Sequence, residues 1–224
     1  MANLQFNRRR KEDPVYHAWT EIQEWFAAYG RITAMVVAVV VVVGAGIFFW
    51  QRSKVQNEER AGVQLAEAKG LYWRGDYASV IQRTEAIEND FSGTWAATDA
   101  IRVRADALFW QGDFPGAIQA YEAFLGAVGM ESPILSSIRE NLAQAYESDS
   151  QFEKAAEVYE ESADAESPRE VKAERLVDAA LAWRAAGSDD RAKELLHRVT
   201  REFSDTQSAR NAEIALGELG VIES

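Results

Sequence analysis

The side chains of this 224-residue chain that could do chemistry are few: two histidines, His17 and His197, and no cysteine. The histidines lie on opposite sides of a long apolar run, so they cannot combine, and each is expected to be a surface or packing residue on a helix. Thiolate nucleophiles, disulfides and thiolate-bound metals are excluded by composition. Gly44-Ala45-Gly46 lies inside the apolar run and not at a strand-to-helix turn, so it is no phosphate loop. Carboxylates remain, with thirty-two Asp/Glu after residue 31. At that density close carboxylate pairs arise by composition, and solvated helix faces account for them. The residues predict no enzyme, no metal site and no cofactor.

The apolar run is Ile32 to Trp50, nineteen residues without a charge. As a helix it spans about 28 Å, close to the roughly 30 Å hydrocarbon core of a bilayer. Arg31 closes one end. Phe48, Phe49 and Trp50, followed by Arg52 and Lys54, form an aromatic and cationic boundary at the other. The run is longer than the apolar core of a signal peptide and ends on bulky residues instead of a small-residue cleavage site, so it is expected to be kept as an anchor over 31–52. Ala34, Ala38 and Ala45 place small residues along one face, which suits close contact with a neighbouring membrane helix.

Residues 1–14 form a basic polar tail, with Arg8 to Lys11 in one run. From 15 to 30 the apolar residues recur at three and four, and Trp19, Ile22, Phe26 and Tyr29 give an amphipathic helix with an aromatic face for a membrane interface or another protein. Pro14 suits its start and Gly30 its end. The positive charges flanking the anchor are nearly balanced. An uncleaved N-terminal anchor ahead of a long domain commonly exports that domain. The expectation is therefore a single-pass protein of the inner membrane, N-terminus cytoplasmic and residues 53–224 periplasmic. That remainder is acidic: from residue 32 onward nineteen Lys/Arg face thirty-two Asp/Glu. Such a surface argues against nucleic acid as a partner.

A repeat fills the domain. Gly75-Asp76-Tyr77, Gly112-Asp113-Phe114, Ser150-Gln151-Phe152 and Ser188-Asp189 are each followed by a small residue and then a larger one at helical spacing. Anchored on Tyr77, Phe114, Phe152 and Asp189, the spacings are 37, 38 and 37 residues. A fixed period of that size indicates stacked helical hairpins, and no period-two alternation competes with it. The fold class is all-α: one membrane helix, about four hairpins, and a terminal helix from Thr206 to Leu219. Each first helix offers a small and a large residue, as in Ala68 and Leu71 or Ala105 and Leu108.

At Glu140 to Ser162 and Phe109 to Leu125 the chain resembles the tetratricopeptide repeat family. The period exceeds the family's 34, Thr84 stands where an aromatic is usual, and Asp189 replaces the turn aromatic of the fourth unit. A single anchor before an exported acidic repeat domain is also similar in architecture to the ancillary subunit of the bacterial Sec translocon. The resemblance implies a binding groove on the first helices. Carried over, its positions are Leu65, Lys69, Tyr72 and Trp73; Arg102, Asp106, Phe109 and Trp110; Glu140, Gln144 and Glu147; and Val177, Leu181 and Arg184. Only Lys69 matches the basic and amide pattern of members that clamp a terminal carboxylate, so no clamp is expected. The aromatic cluster implies anchoring of a peptide or partner helix, although large side chains also pack between repeats. Three kinds of partner are expected: other membrane protein subunits in a larger complex, the lipid bilayer, and extended peptides or client polypeptides in the groove. The role implied is a non-catalytic scaffold or accessory subunit, with a translocon-associated chaperone-like factor as the alternative.

Overall fold

Alanine sets how closely the helices of the repeat approach one another. Ala68, Ala105, Ala143 and Ala180 on the first helices, and Val80, Ala117, Ala155 and Ala192 on the second, are all buried at equivalent positions. Short side chains there bring the backbones together, and Phe124, Ile87, Leu176 and Leu196 fill the spaces between. The computed structural model describes residues 14–128, 134–164 and 168–220, and these contain nine α-helices and no strand. They are α1 (Pro14–Tyr72), α2 (Tyr77–Asp90), α3 (Trp95–Gln111), α4 (Phe114–Ala127), α5 (Leu135–Ser148), α6 (Phe152–Asp164), α7 (Arg169–Ala185), α8 (Asp189–Glu202) and α9 (Gln207–Glu218). The chain divides into two units, Met1–Val55 and Gln56–Ser224.

The second unit is a stack of four hairpins and the terminal helix α9, as the period requires. Its four hairpin turns are built alike. Gly75, Gly112, Ser150 and Gly187 have positive φ, and at each turn the same two amides reach back. Gly112 N donates to Phe109 O and Asp113 N to Leu108 O, both at 3.0 Å; the pairs at Gly75, Ser150 and Gly187 repeat this. Left-handed backbone at that position lets the last helical carbonyls be satisfied. Ser150 adopts φ 60° without being glycine. Asp76 and Asp113 then cap the following helices, accepting from Ser79 N and Gly116 N. Thr84, the departure from the aromatic pattern, is buried. Its hydroxyl donates to Val80 O and Ile81 O, both 2.9 Å away, so no polar group is stranded.

In the first unit, residues 14–55 of α1 are helical throughout the described range, and the basic tail lies outside the described residues. The helix does not stop at Gly30, contrary to the expectation from sequence. A glycine inside a helix costs only about 1 kcal/mol, which the helix-favouring residues around it, such as Ala27 and Ala28, absorb. Thr33 Oγ1 bonds back to Tyr29 O at 2.8 Å just beyond it. α1 carries one stretch long and apolar enough to cross a membrane, and its side chains are exposed. Trp19, Ile22 and Tyr29 are exposed, and the rings of Trp25 and Tyr29 lie 6.0 Å apart. The Phe26 side chain lies outside the described residues. Ala34, Ala38 and Ala45 are exposed with the rest of the stretch. At its far end Lys54 Nζ sits 4.2 Å from the centre of the Trp50 ring.

Candidate binding face of the repeat unit

Helix α3 places Asp99, Arg102 and Asp106 three and four residues apart, so all three side chains share one face. From α1, Lys69 Nζ reaches Asp99 Oδ2 at 2.7 Å. Arg102 then bridges both acids, Nε to Asp99 Oδ1 at 2.6 Å and Nη1 to Asp106 Oδ2 at 2.8 Å. The Tyr121 hydroxyl from α4 donates to Asp106 Oδ1 at 2.7 Å. Two cations and two carboxylates thus neutralise one another in a half-buried row across the first two repeats. Burial works against the charge of Asp99, but hydrogen bonds and charge from Arg102 and Lys69 outweigh it and hold the carboxyl below its usual range. Asp106 goes the other way, because burial raises it more than Tyr121 and Arg102 lower it. Burial also pushes the Tyr72 phenol up.

Beside this row stand two aromatic trios related by the repeat. Tyr72 makes edge contacts with Trp73 (5.5 Å) and Tyr77 (5.7 Å); Phe109 makes them with Trp110 (5.7 Å) and Phe114 (5.6 Å). The central ring of each trio is half-buried, and the tryptophan is turned to solvent. Trp73 is 83% exposed and Trp110 61% exposed. Neither packs in the interior of the repeats. Lys69, Tyr72, Trp73, Arg102 and Asp106 line one hollow, and Tyr72, Asp106, Phe109, Trp110 and Gln144 line the next, together with Tyr121 and Asn141. Eight of the residues carried over from the groove pattern are therefore brought together.

The other carried-over positions fare differently. Leu65 is 6% exposed and belongs to the core with Val80 and Ile87, so it is corrected from groove to interior. At this place on α1, the same column of the repeat as Arg102, the chain has closed over an aliphatic side chain instead of presenting it. Glu147 accepts from the Tyr159 hydroxyl at 3.2 Å, and Arg184 pairs with Glu218 at 2.8 Å. Glu140 is tied to Arg175 of α7, whose Nη1 also reaches Asp178 at 3.0 Å. Arg175 is 8% exposed, and its Nε has no hydrogen-bond partner among the described residues. Sequence reasoning missed Asp99, Tyr121, Asn141 and Arg175. The stripe of Asp99, Arg102 and Asp106 was a signal for the first; the others act across 15 to 35 residues, beyond any local pattern.

The sequence pattern of the tetratricopeptide repeat-like domain family matches residues 23–166. The chain belongs to that family. No curated protein matches it by sequence. Among solved structures, the nearly identical TPR-like repeats of a Podosopora anserina kinesin light chain are similar to it, with a TM-score of 0.52 and 20% identity over 66% of this chain and 77% of that one. A single-substitution variant of the same repeats gives 0.55 and 19% over 72% and 88%. These likenesses show the fold. TPR-like repeat domains are protein-interaction scaffolds, generally bind proteins or peptides, and are typically non-catalytic.

Proposed function

We propose that this TPR-like chain is a membrane-anchored scaffold, a single-pass subunit whose repeat unit holds a partner protein through Trp73 and Trp110. The exposure of two indoles at equivalent places in consecutive repeats carries the reading. Large aromatic surface left in water beside a neutralised row of charges is what an interface anchor offers before its partner arrives. The anchor is supported by the exposed apolar stretch of α1, by the Lys54–Trp50 contact at its end, and by a family match that begins at residue 23, ahead of that stretch. In this reading the span lies in the inner membrane, the N-terminus is cytoplasmic and the repeats are exported. The face of Trp19, Ile22 and Tyr29 and the Ala34, Ala38 and Ala45 stripe meet other membrane subunits.

The test is recovery of the tagged full chain from membranes in mild detergent, beside Trp73→Ala/Trp110→Ala. Partners at fixed stoichiometry, lost in the double variant while helicity is unchanged, support the scaffold. A heterogeneous set of unfolded chains instead would favour a translocon-associated holding factor. Extraction of the protein by alkaline carbonate would remove the anchor.

A further inference from the structure

A further hollow, of about 370 Å³, lies at the far end of the repeat unit between α7 and the terminal helix α9. Val177, Leu181 and Ile214 make its aliphatic part, and Glu174 and Asp178 edge it. Ile214 is 64% exposed and Leu181 38% exposed, which is unusual for aliphatic side chains on helices whose other faces are packed. The charges nearby are unbalanced, unlike those of the first two repeats. Glu140, Glu147, Glu174 and Asp178 gather on α5 and α7, while Arg175, the cation among them, is buried and already shared between Glu140 and Asp178. Glu174 makes no ion pair among the described residues. Asp178 feels the crowding: burial lifts its carboxyl above the usual range, and although Arg175 opposes this, the charges of Glu174 and Glu140 add to it.

We infer that this hollow docks an extended segment of a partner protein in which an aliphatic side chain neighbours a basic one, the aliphatic group resting on Leu181 and Ile214 and the cation meeting Glu174 and Asp178. Charge complementarity selects that occupant: a cation would pair Glu174, which has no ion pair among the described residues, and share Asp178 with the buried Arg175, whereas an acidic segment is repelled. Aliphatic contact supplies the affinity that an exposed ion pair alone does not. The inference rests on the scaffold reading, and assigns the partner's chemistry at an end of the face that the tryptophans do not reach.

The test uses the full chain in zwitterionic lipid nanodiscs and a fluorescein-labelled, alternating Lys-Leu peptide read by anisotropy, with empty nanodiscs as the blank. Matched Glu-Leu and Lys-Ser peptides are expected to bind at least about tenfold more weakly. Ile214→Lys and Glu174→Lys, both at exposed positions, are each expected to weaken the Lys-Leu peptide about tenfold with an unchanged circular dichroism spectrum. Trp73→Ala/Trp110→Ala should leave it unchanged. Equal binding of Lys-Leu and Glu-Leu peptides, no binding of Lys-Leu above the blank, or indifference to Ile214→Lys overturns the assignment. Loss of the peptide in the tryptophan variant alone also overturns it, by moving the site to the other end. Recovery of membrane partners by the wild-type chain decides the scaffold reading separately.

Discussion

Two half-buried rows of charge lie on the first helices of the repeat unit, one on α1 and α3 and one on α5 and α7, and they are finished differently. In the first, Lys69, Asp99, Arg102, Asp106 and Tyr121 pass every charge to a neighbour. In the second, among the described residues, Arg175 alone pairs with Glu140 and Asp178, and its Nε has no hydrogen-bond partner. A closed row adds rigidity under an aromatic surface; an open one leaves negative potential for something else to meet. One repeat architecture thus supports two unlike chemistries, because the periodic positions fix the backbone and leave the inner side chains free to vary.

Removing the central residue of each row should separate the two. Arg175→Ala, which strands Glu140 and the half-buried Asp178 together, is expected to cost about 3 kcal/mol in urea unfolding of the full chain in detergent. Asp99→Ala is expected to cost less, about 2 kcal/mol, because Arg102 keeps Asp106. Equal losses would show that the two rows do not differ in the way described.

Acid sharpens the contrast in sign. The Asp99 carboxyl is held below its ordinary value of 3.8, so its contribution is fully present above that value and is lost as pH falls through the lower, folded one. Asp178 is raised, so the folded chain takes up its proton first, and its effect is to favour the fold as pH falls from neutral toward 3.8. Asp99→Asn should therefore flatten the acid limb of a stability profile. Asp178→Asn should instead remove a gain at mildly acidic pH; a steeper gain would contradict the assignment.

Smaller effects test the turns. Ser150→Gly, at the one hairpin turn where a side chain accepts positive φ, should stabilise by up to about 1 kcal/mol, whereas Gly112→Ser should destabilise by a similar amount. Denaturation midpoints of the two variants should move in opposite directions.

Much of this was written in the period. Spacings of 37, 38 and 37 placed all four turns, and small residues at Ala105 and Ala143 announced the close helix pairs that the structure contains. The aromatic positions Tyr72, Trp73, Phe109 and Trp110 were legible because they sit at fixed distances before each turn. What could not be seen was neutralisation. Lys69 and Asp99 look like two solvated charges until hairpin stacking brings residues thirty apart to within 2.7 Å. Leu65 was misplaced because its column of the repeat is buried where it holds an aliphatic residue, Leu65 or Val177, and only half-buried where it holds Arg102 or Glu140. Gly30 was misread because one glycine inside a helix costs only about 1 kcal/mol, too little to end a helix that continues on both sides of it.

The start of α3 holds a bond with its own history. The Glu58 carboxylate accepts from Trp95 N at 2.9 Å and Ala96 N at 3.0 Å, while Thr94 accepts from Ala97 N. Those amides are the ones a helix cannot satisfy from within, and their acceptor was synthesised thirty-seven residues earlier. Because the acceptor sits on α1 and the amides begin α3, the bond ties the first hairpin to the second. The same bond fixes where the repeat unit can be cut from its helix: a fragment beginning after residue 58 leaves two amides open, and one beginning a turn earlier keeps them closed.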